Sequence, residues 1–244
     1  MDALTPPNIT LSTAQMIEVD RAMLEEYHIT LIQMMENAGR GLAHLARERF
    51  LGGDPRGKNV IVLAGAGGNG GGALVSARRL HNWGALLAVV LSKTTGEYRG
   101  APAQQLDSLQ RMGIPLLDQG SFHTSAGVDL VLDGLIGYNL SGSPRGTTAR
   151  LIEWANGQKA PILSLDVPSG LDSTTGKSHV PTIRAAATLT LALPKTGLLR
   201  SEASRFVGEL YLADISVPPE LYKKAFGLTI PALFAQNEII RLKA

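Results

Sequence analysis

The chain has 244 residues and 25.9 kDa, is 44% hydrophobic and 18% charged, and carries a net charge of +2. Such a composition suits a soluble globular protein, with length for one large domain or two small ones, and the charge is too small and too dispersed to argue for nucleic acid. The absence of cysteine excludes disulfides, thiolate nucleophiles and cysteine metal sites, and fits a cytoplasmic setting.

The opening MDALTPPNITLSTAQ has neither a basic nor an apolar targeting segment, and its first ten residues read as a flexible lead-in. The longest apolar run, 85–91, is far short of the ~20 residues that cross a bilayer, so no membrane span is expected. Ser12 or Thr13 starts a helix whose Met16, Val19, Met23 and Leu24 share one face. A second helix, TLIQMMENAGRGLAHLARERFL, ends at the breaker cluster Gly52-Gly53-Asp54-Pro55. From there strands and helices alternate. The strand 60–63, a glycine turn and a helix over 73–83 lead to a strand over 85–91 and a helix over 101–112. The short run 114–117 precedes VDLVLDGLIG, a buried strand ending in Asp133. The helix TTARLIEWAN, then APILSLDVPSGLD, AAATLTLALPK and GELYLADISVP, complete the pattern. Aliphatic strands alternating with helices predict a Rossmann-like α/β fold, a mostly parallel sheet in a three-layer αβα sandwich after two N-terminal helices. No linker or repeat divides it, so a single domain over 1–244 is expected. The tail LYKKAFGLTIPALFAQNEIIRLKA reads as a segment that packs on this domain, with docking to a partner as the alternative.

Ligands of open parallel sheets bind beyond the carboxyl ends of the strands. There this chain places the glycine turn, Ser92-Lys93, Asp133, Asp166 with Pro168-Ser169-Gly170, and Lys195. Each has a plain reading as well. A glycine turn can serve close packing, a strand-end Asp can cap a turn, and Lys93 and Lys195 can be solvated rim charges. His28, His44, His81, His123 and His179 lack metal-ligand spacing. Neither a G-x-S-x-G elbow nor a Walker lysine motif is present.

Taken in order, the motifs resemble the NAD(P)H-hydrate epimerase family. They are STAQMIEVDRA, LIQMMENAGRGLA, GAGGNGGGALVSARRL, VDLVLDGLIGYNLSG, LSLDVPSGLDSTTG, TLTLALPKTGL and GELYLADISVP. The resemblance implies a homodimeric Rossmann-like enzyme that interconverts the R and S forms of hydrated NAD(P)H (NAD(P)HX). It implies a potassium ion held by Asn69, Asp133 and Ser169. It places substrate contacts at Gly68, Asn69, Gly70, Gly71 and Gly72, at Gly137, Tyr138, Asn139, Leu140, Ser141, Gly142 and Ser143, and at Asp166. Asp133 and Lys93 would form the catalytic pair, with Asp133 as base and Lys93 as proton donor or electrostatic partner. A separate NAD(P)H-hydrate dehydratase would act in the same repair pathway.

The glycine turn departs from the family pattern G-P-G-N-N-G-G-D-G, reading G-A-G-G-N-G-G-G-A over Gly65–Ala73. Gly72 stands where an Asp is usual, and Tyr138-Asn139 where small residues are common. Losing that carboxylate would remove a charged hydrogen bond of roughly 1.5–3 kcal/mol from the pocket. Three readings follow: a re-tuned epimerase, a same-fold enzyme using room near Gly72 for another nucleotide-like substrate, or a non-catalytic ligand-binding homologue.

Overall fold

The computed structural model describes residues 9–117 and 127–243; residues 1–8 of the expected lead-in lie outside it. Two capped helices come first. Ser12 caps α1 (Thr13–Glu25) and Thr30 caps α2 (Leu31–Leu45), each in a reciprocal box with the Gln three residues on. The predicted continuation of α2 becomes a π-helical turn over Ala46–Phe50. The parallel series then runs β1 (Asn59–Ala64), α3 (Gly68–Asn82), β2 (Leu86–Leu91), α4 (Gly100–Arg111), β3 (Leu116–Leu117), β4 (Leu130–Gly134), α5 (Gly146–Asn156) and β5 (Ile162–Leu165). It continues with β6 (Ala187–Leu191), α6 (Ser204–Val207), β7 (Glu209–Ala213), α7 (Pro219–Phe226) and β8 (Ile239–Leu242). No helix among the described residues is long and apolar enough to cross a membrane.

The strands form one sheet in the order β3-β2-β1-β4-β5-β6-β7-β8, parallel throughout except for β8 against β7. The sheet buries both faces, as its near-continuous aliphatic strands require. Val60, Val62 and Ala64 face a core built with α1–α4 and α7, while Ile61 and Leu63 face Leu151, Ile152 and Ala155 of α5. Leu210 and Leu212 join a third cluster with Phe206 and Val207 of α6. The tail packs on this same body: Lys224 of α7 pairs with Glu26, and β8 adds an edge strand.

One boundary differs from the sequence expectation in a way that matters for the site. α3 begins at Gly68, not Ala73, so the glycine run is mostly helix. Helical glycine costs about 1 kcal/mol relative to alanine, yet here side chains have no room. A Cβ on Gly70 would overlap the carbonyl oxygen of Gly65, one on Gly71 would sit 2.5 Å from Met35, and one on Gly39 would overlap the carbonyl oxygen of Gly72. The glycines let α3 lie close upon β1 and α2. Gly70→Ala should therefore cost about 1–3 kcal/mol in chemical denaturation. Gly68→Ala, whose added Cβ would find only Leu31 at 3.9 Å, should stay within about 0.5 kcal/mol of the parent.

Candidate active site

The strand order reverses direction at β1 and β4, and a cleft of about 380 Å³ opens beside their carboxyl ends. Its walls are α1 and α2, the first residues of α3, the turn after β4, and the ends of β5 and β6. The chain segment before α1 is tied to the end of β6 by Leu11 N–H to the Pro194 carbonyl, 2.9 Å, and Thr196 N–H to the Leu11 carbonyl, 3.0 Å. Thr13 N–H donates to Thr174 Oγ1 at 2.9 Å. These bonds hold α1 across the cleft.

At the α3 wall, Gly67 stands at the N-cap with no side-chain acceptor, and both Gly67 and Gly68 are exposed. The first N–H groups of the helix are thus free to meet an anion, and the dipole favours one there. Beside them the Asn69 side chain has both its oxygen and its nitrogen buried without a hydrogen-bond partner. Buried polar atoms are rarely left so, and an orphaned amide lining a cleft marks a ligand position.

Asp133 ends β4 with no solvent exposure. Its Oδ1 accepts from Ser169 Oγ at 2.6 Å and Leu135 N–H at 3.2 Å, and its Oδ2 from Ser164 Oγ at 2.8 Å and Ser169 N–H at 2.9 Å. Burial pushes its pKa up, against the pull of those donors. Asp133 does not line the cleft. Lys93 is farther off: its side chain is 57% exposed beyond β2, 3.7 Å from Glu97. β2 lies two strands from β4, about 10 Å by strand spacing, so this structure does not bring Asp133 and Lys93 together as a pair.

The ionisable groups it does bring together are others. Lys195 is fully buried, and its Nζ donates to Asp166 Oδ1 at 2.5 Å and to the Leu191 carbonyl at 2.8 Å. The reading of Lys195 as a solvated rim charge is corrected here. Asp166 holds φ +66°, a left-handed conformation that Asp tolerates better than most residues, and its Oδ2 accepts from Tyr138 N–H at 3.0 Å. The phenol of Tyr138 donates to Asp20 Oδ2 at 2.6 Å. Asp20 escaped the sequence reading. Its signal was its position four residues after Met16, a carboxylate inside the apolar stripe of α1.

The remaining expected contacts divide. Gly68, Asn69, Gly137, Tyr138, Asn139 and Asp166 line the cleft. Gly70, Gly71 and Gly72 are buried in α3 and do not. Leu140 is half-buried and Ser141, Gly142 and Ser143 are exposed on the onward loop, outside the cleft walls. A Cβ on Gly72 would meet Leu165 at 2.9 Å and Ala38 at 3.6 Å, so the expected extra room there is filled by Leu165.

Asn69, Asp133 and Ser169 offer oxygen donors, and no group of three or more His, Cys, Asp or Glu able to hold a metal occurs among the described residues. The unpartnered Asn69 amide oxygen and a buried carboxylate that has only neutral hydrogen-bond donors for company are donor types that suit a hard cation.

A family model described as YjeF-related protein N-terminus matches residues 31–197. The chain belongs to this family. It is 42% identical to an NAD(P)H-hydrate epimerase of Dehalogenimonas lykanthroporepellens over 99% of this chain and 94% of that one. It is 35% identical to a bifunctional NAD(P)H-hydrate repair enzyme of Moorella thermoacetica, over 86% of this chain and 41% of the relative. The crystal structure of the yeast protein ynu0 superposes with a TM-score of 0.81 at 26% identity, covering 96% of this chain and all of that one. The family match begins inside the α1–α2 pair, so Asp20 falls before the matched residues.

Removing the Lys195 cation would leave Asp166 buried without its counter-charge. Lys195→Met should cost about 3–5 kcal/mol in chemical denaturation, and adding Asp166→Asn to the same chain should recover part of that loss.

Proposed function

We propose that the chain is an epimerase that interconverts the R and S forms of NAD(P)HX. The observation that carries this reading is the cleft itself, where the open N-terminus of α3 lies beside a buried carboxylate–ammonium pair. The names of its relatives supply the substrate class. The hydrated carbon bears a hydroxyl next to the ring nitrogen. Loss of hydroxide leaves an iminium cation, and water entering from the other face inverts the centre; ring opening and reclosure reaches the same product. Either route calls for a group that takes a proton at the reacting oxygen.

Asp166 fills that role. Lys195 stabilises its charge, and the Tyr138 N–H fixes Oδ2 in the cleft. The free N–H groups of α3 receive the pyrophosphate of the substrate. Asn69, Asp133 and Ser169 would hold potassium, which supplies positive charge beside the buried carboxylate and the phosphates. The reading includes a homodimer, a cytoplasmic setting, a single domain over 1–244, and a dehydratase that consumes one epimer.

Chromatography that resolves R- from S-NADPHX tests it, with and without potassium. Rapid inversion by the parent chain is expected, reduced about 100-fold or more in Asp166→Asn. Asn69→Ala should lose the potassium effect while melting no lower than the parent, because it removes two orphaned polar atoms. A folded parent chain that inverts neither NADHX nor NADPHX would point instead to another nucleotide-like substrate or a binding role.

A further inference from the structure

Two carboxylates face the cleft, and the reading above uses one. Asp20 comes from α1 and Asp166 from the end of β5, and Tyr138 spans them: its phenol bonds Asp20 and its own N–H bonds Asp166. The length of one tyrosine therefore separates the two carboxyl groups. The Tyr138 carbonyl in turn accepts from Ser173 Oγ at 2.9 Å, so the spanning residue is held at both its backbone and its side chain. Asp20 Oδ2 is engaged by the phenol, while Oδ1 has no hydrogen bond among the described residues and Asp20 lines the cleft. We propose that Asp20 is a catalytic residue, exchanging the proton of the reacting hydroxyl from the α1 wall while Asp166 serves the other wall, with Tyr138 as the positioning residue for both.

This rests on the epimerase reading and completes it, because inversion needs a proton handled on each face of the ring. In one direction the Asp20 carboxyl gives its proton to the departing hydroxyl. The C–O bond breaks, water leaves, and the lone pair of the ring nitrogen forms the C=N bond. Water then adds from the side of Asp166, forming the new C–O bond. The C=N electron pair returns to nitrogen, and the proton of that water passes to the Asp166 carboxylate. Solvent water restores the starting protonation of both groups, and the reverse reaction exchanges their roles.

The two carboxyls have different partners. Asp20 has its pKa raised, chiefly by burial and slightly by Asp166, against the opposing pull of the Tyr138 hydroxyl and Lys195. The buried phenol of Tyr222 on α7, which has no hydrogen-bond partner among the described residues, also feels the Asp20 charge. Asp166 has the Lys195 ammonium in direct contact.

The test is the pH profile of kcat for NADPHX inversion in three chains. Asp20→Asn should lower kcat about 100-fold with KM and melting temperature little changed, and Asp20→Glu should restore part of the rate. In the parent chain kcat should fall once rising pH strips the proton from the Asp20 carboxyl. Tyr138→Phe should keep its fold and move that fall to higher pH, because it removes the donor that steadies the Asp20 carboxylate. An active parent chain whose Asp20→Asn variant keeps its rate, or whose Tyr138→Phe profile stays in place, overturns the assignment alone. If Asp20→Asn does not fold, the Tyr138→Phe profile decides. A folded but inactive parent chain overturns the epimerase reading, and this inference with it.

Discussion

A carboxylate with no access to water organises this molecule. Asp133 gathers donors from three places in the chain: the turn that follows its own strand, the neighbouring strand through Ser164, and the loop after β5 through Ser169. A buried charge without such donors would be strongly disfavoured. The three segments must therefore arrive together, and their arrival shapes the cleft. Ser169 Oγ also accepts from Ile136 N–H at 2.8 Å, so the bonds that satisfy Asp133 set the path of the chain into Gly137 and Tyr138. They set the exit from β5 as well, where Asp166 turns with its positive φ. Strand, turn and loop are joined at one point just beneath the place where chemistry would occur.

The electrostatics above that point are layered. Asp133 is compensated by neutral donors, Asp166 by a buried ammonium, and Asp20 by one phenol. Three carboxyl groups within one region would repel each other if treated alike. Each therefore has a different partner. The orphaned amide of Asn69 belongs to the same arrangement. It is a group held ready at a cost in stability, and such costs gather at functional sites.

Much of the architecture was legible because the parallel strands announce themselves as unbroken aliphatic runs. VIVL and LVLD are buried on both faces, and LLAVVL is buried over its second half, an arrangement that hides such runs simply. The family resemblance also held. The site was legible only in part, for reasons of distance along the chain. Asn69, Tyr138 and Asp166 stand next to recognisable motifs, and they line the cleft. Lys195 reads as a rim charge because nothing local reveals that its segment pairs with Leu11, far away in the sequence, and that its side chain is buried. Asp20 lies in an ordinary amphipathic helix, 118 residues before the tyrosine that makes sense of it. The glycine run misled in the opposite sense. Propensity argues against a helix of glycines, but the close approach of α2, α3 and β1 admits no larger side chain at Gly70 or Gly71.

The edges of the sheet bear on how copies of this chain can meet. One edge of the sheet is β3 and the other is β8, which runs against the direction of all the rest and spans four residues. Short edge strands make poor templates for adding another strand. A parallel sheet that ended at β7 would instead have exposed a five-residue strand whose last four residues are buried. The final antiparallel strand thus acts as a seal that discourages ribbon-to-ribbon growth.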